Sequence, residues 1–225
     1  MRPLFLLFIF INVCFIQTFY SQEYRKEFQK KYQVSDTLAT LYADSLSTSS
    51  VLKIKAFGYG AKAYLLIKEK NYKQIDSLLR LAFQELEEKL HILYINSQYL
   101  LAKHDTEILN TTINEGLELS LNLSDIEMQI AFQNLRGRYY NLIGLREQAL
   151  KMTHKAIYKL TSSEGELDAS FFKSSLTTAY LNGANRAVSL YILDSVKYKT
   201  YIDTNEVFLK RTDQYIKNYK NTPQV

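Results

Sequence analysis

The chain has 225 residues and a formal net charge of +5, with 47% hydrophobic residues, seven glycines, two prolines and one cysteine. That length suffices for one domain with a real core, and the modest charge spread along the chain argues against a nucleic-acid or anionic-membrane footprint. The two prolines are Pro3 and Pro223. Between them nothing breaks a helix as strongly, and the turn residues an all-β fold needs every 8–12 positions are missing.

The chain opens on a leader. Arg2 supplies a positive start, Leu4 to Ile16 an apolar stretch interrupted by Asn12, and Ser21 a cleavage edge before Gln22. The stretch is short for a membrane span, so export to the periplasm or outside the cell is expected, and retention as an N-terminal anchor is the alternative. The cysteine, Cys14, lies inside this leader. Residues 22–225 therefore carry no disulfide or thiolate metal site, and removal of Arg2 brings the net charge from +5 to +4. Ile11, Asn12 and Val13 ahead of Cys14 lack the small pair of a lipid-anchor site. No later segment is apolar enough to span a membrane once the leader is gone.

From Tyr24 onward apolar residues recur at three- and four-residue spacing, the helical period, beginning with Tyr24, Phe28 and Tyr32. Breaks are expected at Ser47 to Ser50, Lys70-Asn71, His104-Asp105, Leu123 to Asp125, Gly144, Ser162 to Gly165 and Asn182-Gly183. Ser124 with Glu127, Ser163 with Glu166, and Asp203 with Glu206 have the spacing of capping boxes. About ten helices of roughly 12 to 18 residues result, and such short connections make helical hairpins.

The hairpins repeat. Gly137, Tyr140, Ala149 and Ala156 stand at offsets of 3, 12 and 19, and the same offsets lead from Ala63 to Leu66, Ile75 and Ala82. From Ser97 they reach Leu100, Leu109 and Gly116, and from Ser175 they reach Thr178, Ala187 and Asp194. The small residues let helices approach closely, and each hairpin must stack on its neighbours to cover its apolar face. Asp194 departs from the pattern, which loosens the expected fourth hairpin.

With Gly137, Tyr140, Gly144, Ala149 and Ala156, the stretch from Leu135 to Ile157 resembles a tetratricopeptide repeat. Tyr59 to Phe83 is a weaker match through Ala63, Asn71-Tyr72 and Ala82, and Ser97 to Leu117 matches in size pattern only. The resemblance implies an all-α, right-handed stack of helical hairpins, an α-solenoid of about four degenerate repeats with capping helices. The expected plan is a signal peptide over 1–21, N-terminal helices over 22–50, repeats over 51–202, and a C-terminal capping helix and tail over 203–225. An export signal ahead of degenerate repeats is also similar to the sensor halves of bacterial envelope regulators, here without a membrane helix or output module.

The residues point to no catalysis, cofactor or metal. His91, His104 and His154 are isolated, and Glu87 four residues before His91 supplies one possible co-ligand without a third. The acidic run Glu85, Glu87, Glu88 reads as a wet helix face. No Gly-rich phosphate loop or nucleophile elbow is present. Asn110-Thr111-Thr112 and Asn122-Leu123-Ser124 fit the glycosylation acceptor pattern, which matters only in a eukaryotic secretory route. Eighteen tyrosines without a tryptophan suit either semi-exposed core positions or a binding surface. In the repeat family, ligands lie in a concave groove lined by the first helices of the hairpins. Carried onto this chain, the resemblance implies a peptide groove of Tyr64, Lys68, Tyr94, Gln98, Asn134, Arg138, Asn141, Phe172 and Tyr180. The partner it implies is a protein or peptide segment, not nucleic acid. A regulator's sensor half and a self-associating structural repeat remain the alternatives, and the oligomeric state is open.

Overall fold

The computed structural model describes residues 23–84 and 89–220; Pro3, Cys14 and the rest of the expected leader, the acidic run 85–88 and Pro223 lie outside them. Among the described residues every regular element is helical. They are α1 (residues 23–34), α2 (Asp36–Ser47), α3 (Leu52–Leu66), α4 (Tyr72–Ala82), α5 (Lys89–Lys103), α6 (Thr106–Asn122), α7 (Ile126–Leu142), α8 (Arg146–Ser162), α9 (Ala169–Leu193) and α10 (Thr200–Lys220). A 3-10 turn, Glu164–Glu166, precedes α9.

Two compact units divide the chain, residues 1–95 and 96–225, with the boundary inside α5. In the first, α2 packs on α3 and α3 on α4; in the second, α6 packs on α7, α7 on α8, α8 on α9 and α9 on α10. In each of these pairs a helix buries apolar residues against its neighbour in sequence. This is the all-α hairpin architecture of an α-solenoid.

The turns within the hairpins α3–α4, α5–α6 and α7–α8 share one device. Lys70, His104 and Gly144 each sit there with positive φ, at 57°, 61° and 82°, and they are 34 and 40 residues apart. Those are the separations of Ala63, Ser97 and Gly137 in the sequence. At the second and third turns the chain closes in Schellman fashion, Asp105 N–H donating to the Leu100 carbonyl (3.0 Å) and Leu145 N–H to that of Tyr140 (2.8 Å). Ser124, at φ 54°, repeats the device between α6 and α7.

The small-residue register holds through three hairpins. Ala63, Ile75, Ala82, Ser97, Leu109, Ala149 and Ala156 are essentially sealed from solvent. What approaches them varies. A Cβ on Gly58 would collide with the backbone of Leu46 and Ser47, so there two helix backbones touch directly. On Gly116 it would meet the Phe132 ring instead.

The fourth register holds only at Ala187, which is sealed from solvent. Thr178 is exposed and Ser175 half-buried, whereas Phe172, Leu176, Ala179, Tyr180 and Ala184 are buried. Asn182-Gly183 is not a break, because α9 runs 25 residues through it. Gly183 serves packing: a Cβ there would stand 2.7 Å from the Phe208 ring of α10. The helix stops at Asp194, whose carboxylate accepts from the Val196 and Lys197 amides and shapes the turn into α10. That last helix starts at Thr200, three residues ahead of the expected Asp203.

Two of the capping boxes also resolve differently. Asp125, not Ser124, caps α7 by accepting from Met128 N–H at 3.0 Å, since Ser124 is occupied as the left-handed residue of the preceding turn. Ahead of α9 the cap is Asp168, accepting from Phe171 N–H at 3.2 Å, while Ser163 makes no side-chain cap.

Candidate functional site

The nine groove positions fall into three environments. In the first unit Tyr64 is half-buried and Lys68 exposed, and both are engaged by the chain's own N-terminal helices. The Tyr32 ring of α1 meets Tyr64 edge-on at 5.6 Å. Lys68 Nζ stands 4.9 Å over Tyr32 and 3.3 Å from the Asp36 carboxylate. Its pKa is raised first by Tyr32 and then by Asp36.

The rest of α1 continues the contact. Tyr24 and Phe28 pack on Phe57 of α3 with ring centroids at 4.9 and 6.0 Å. Spacing of four residues puts Tyr24, Phe28 and Tyr32 on one ridge of α1. Phe57 in turn stacks on His91 at 4.9 Å, and His91 on Tyr94 at 6.4 Å. In this unit the first-helix face is therefore an aromatic surface that α1 lies upon.

His91 is a packing residue here. The residue as a whole is only half-buried, but its Nδ1 is sealed and has no hydrogen-bond partner among the described residues. Burial first, and then the Arg25 charge, push its pKa well below the usual histidine range. A neutral imidazole between two rings follows. Its expected neighbour Glu87 lies outside the described residues, and no group of three His, Cys, Asp or Glu gathers among those described.

In the second unit the polar positions do converge. Asn134, Arg138 and Asn141 lie four and seven residues apart on α7, so they share one face. Arg138 and Asn141 are exposed and Asn134 half-buried. Arg138 Nη1 donates to Gln98 Oε1 of α5 at 2.6 Å, joining the first helices of two successive hairpins across 40 residues of sequence. On the neighbouring turn of α7, Arg136 donates to Asn114 of α6.

Beneath this face lies a cation the sequence reading did not single out. Arg186 of α9 is only 7% exposed. Its Nη1 donates to the Ala149 carbonyl (3.0 Å) and to the Thr153 hydroxyl of α8. Both acceptors are uncharged. Burial, and secondarily the charge of Arg138, push its pKa down to about 10, which leaves it charged at neutral pH. Gly137 makes its place: a Cβ there would stand 2.7 Å from Nη1. The glycine that carries the repeat resemblance thus admits a guanidinium from α9. The signal was legible, since Arg186 interrupts the apolar stripe Gly183, Ala187, Leu190 at helical spacing.

The last two groove positions belong to the core. Phe172 is 5% and Tyr180 2% exposed, in a cluster with Ile130, Leu160, Leu176 and Phe208. The Phe208 ring lies 5.9 Å from Tyr180, and Arg211 Nη1 reaches the Tyr180 hydroxyl at 3.4 Å. An aromatic residue at helical spacing serves a core or a groove equally well, and here α10 decides.

A second polar cluster holds the end of the second unit together. Tyr198 donates to Glu147, and Lys197 Nζ reaches Glu147 at 3.0 Å and the Tyr198 oxygen at 2.7 Å. Tyr198 first, then Lys197, hold the Glu147 carboxyl below its usual range, and Tyr198 raises the Lys197 ammonium. Each group has its complement, so the cluster works as a clasp between the start of α8 and the α9–α10 turn.

No family model matches this chain, and neither a curated protein nor a solved structure is significantly similar to it. The residues alone therefore carry the functional reading. Among the described residues no helix is long and apolar enough to cross a membrane.

Proposed function

We propose that this chain is a non-catalytic repeat scaffold of tetratricopeptide type, exported to the cell envelope, that binds a segment of another protein on the α5–α7 face. The observation that carries the reading is the 2.6 Å contact between Gln98 and Arg138. It joins two hairpins through side chains suited to an extended peptide, a carboxamide and a guanidinium, and Asn134 and Asn141 extend the same face. Amides satisfy a peptide backbone, and a guanidinium takes a carboxylate in two parallel hydrogen bonds. Arg186 adds a second positive charge whose acceptors are both neutral. The bound segment is accordingly one with an acidic side chain or a free C-terminus.

The test is selection from a displayed peptide library against the full chain, followed by titration of the selected peptide. Acidic peptides should be enriched. Arg138→Ala should weaken binding by about 1.5–3 kcal/mol, roughly ten- to a hundredfold, as expected for a charge-assisted hydrogen bond. Selected peptides that bind Arg138→Ala and Gln98→Ala as tightly as the unaltered chain would refute this site.

A further inference from the structure

The join between α1 and α2 is a single residue, Ser35. Its N–H still donates to the Lys31 carbonyl (2.9 Å), and its own carbonyl still accepts from Ala39 (3.1 Å). Both are helical i to i+4 bonds. Only the extended backbone of Ser35, φ −163° and ψ 147°, interrupts what would otherwise be one helix from 23 to 47. The Ser35 hydroxyl holds the break by capping α2, accepting from Leu38 N–H at 3.1 Å. One residue's rotation into the helical region would fuse the two helices and lift α1 off the aromatic face.

Around that hinge lies an uncovered apolar stripe. Val34 is 74% exposed, Leu38 43% and Leu41 62%. These residues are four and seven apart, so fusion of α1 with α2 would align them on one face of a continuous helix. Such a stripe is the seam by which two fused helices pair, and the vacated aromatic face of each copy fits one helix already known, namely α1. Tyr24, Phe28 and Tyr32 match Phe57 and Tyr64, and Lys31 stands 5.3 Å over Tyr42. Every one of those contacts can be remade between copies.

We infer that the chain forms an exchanged dimer in which α1 of each copy fills the Phe57–Tyr64 face of the other, hinged at Ser35 and sealed by Val34, Leu38 and Leu41. The α1 contacts are common to the monomer and the dimer, so their balance is set by the hinge and the new seam. This is the usual thermodynamics of exchange between identical chains. The inference is independent of peptide binding at Arg138, which lies in the other unit.

The hinge supplies two opposed variants of the full chain. Ser35→Ala removes the cap and favours continuous helix, which is about a fivefold effect per hinge and about twenty-fivefold for the two hinges of a dimer. Ser35→Gly keeps the extended backbone accessible and disfavours the fused helix, so it should hold the chain monomeric. Sedimentation equilibrium over a concentration series should show Ser35→Ala passing to twice the 26.2 kDa mass of the single chain at the lowest concentration of the three proteins. Adding Leu41→Asp, an exposed change that leaves the monomer's packing alone, should return Ser35→Ala to a monomer. A Ser35→Ala chain that stays monomeric would overturn the inference. So would a dimer insensitive to Leu41→Asp.

Discussion

The two units use the first helices of their hairpins in opposite ways. In residues 23–95 that face is aromatic, with Phe57, Tyr64, His91 and Tyr94, and α1 covers it. In residues 96–220 the corresponding face is polar, with Gln98, Asn134, Arg138 and Asn141, and a buried guanidinium lies behind it. One architecture thus supports either outcome, and side-chain chemistry chooses between them. Burying Tyr24 and Phe28 is worth about 1.5–3 kcal/mol each, which favours closure where the face is aromatic. A face of amides and guanidinium gains nothing from an apolar cover, because its polar groups would lose water without new partners.

The helix contacts differ in the same sense, and their glycines break the comparison open. Gly58 lies against backbone, so Gly58→Ala must force α2 and α3 apart. The expected loss is about 3 kcal/mol or more, at the upper end for overpacking, and would be measured by urea unfolding. Gly137 lies against the end of the Arg186 side chain. Gly137→Ala gains about 1 kcal/mol of helix propensity but displaces a buried guanidinium from its acceptors, for a net loss of about 1–2 kcal/mol. Arg186→Met should then relieve Gly137→Ala, a coupling that has no counterpart at Gly58. Equal losses at the two glycines, without relief by Arg186→Met, would contradict the distinction.

A smaller effect sharpens it further. His91 is held neutral in the fold while an unfolded histidine protonates near pH 6.5. Below that pH the unfolded chain takes up a proton that the folded chain does not, so stability falls as pH falls. The slope from this residue is at most about 1.4 kcal/mol per pH unit and persists down to the depressed folded value. His91→Phe keeps the stack between Phe57 and Tyr94 and should remove that slope. Unfolding followed between pH 7 and pH 5 measures it.

Much of the fold was legible because helix packing constrains residue size. Ala63, Ser97 and Gly137 mark the register, and the left-handed residues Lys70, His104 and Gly144 follow at the same separations. Legibility ends where one residue type serves two purposes. Gly183 looked like a turn and is a socket for Phe208; Ser124 looked like a cap and is the left-handed residue before one. The candidate site divides along the same line. Gln98 and Arg138 were legible as polar positions on successive first helices, and their side chains do meet, at 2.6 Å. Phe172 and Tyr180 were not, since only the placement of α10 reveals them as core. Nor did the sequence disclose that α1 would lie on Tyr64, because an aromatic ridge at Tyr24, Phe28 and Tyr32 does not name its receptor.

The central claim is that the covered aromatic face and the polar face have different occupants, α1 for one and a partner segment for the other. Hydrogen exchange of the full chain with and without a selected acidic peptide addresses it most directly. Protection should appear in α7 over residues 134–141 and in α5 around residue 98, with exchange in α1 and α3 unchanged. Protection of α3 over residues 57–68, accompanied by faster exchange in residues 23–34, would show the peptide displacing α1 and would contradict the account.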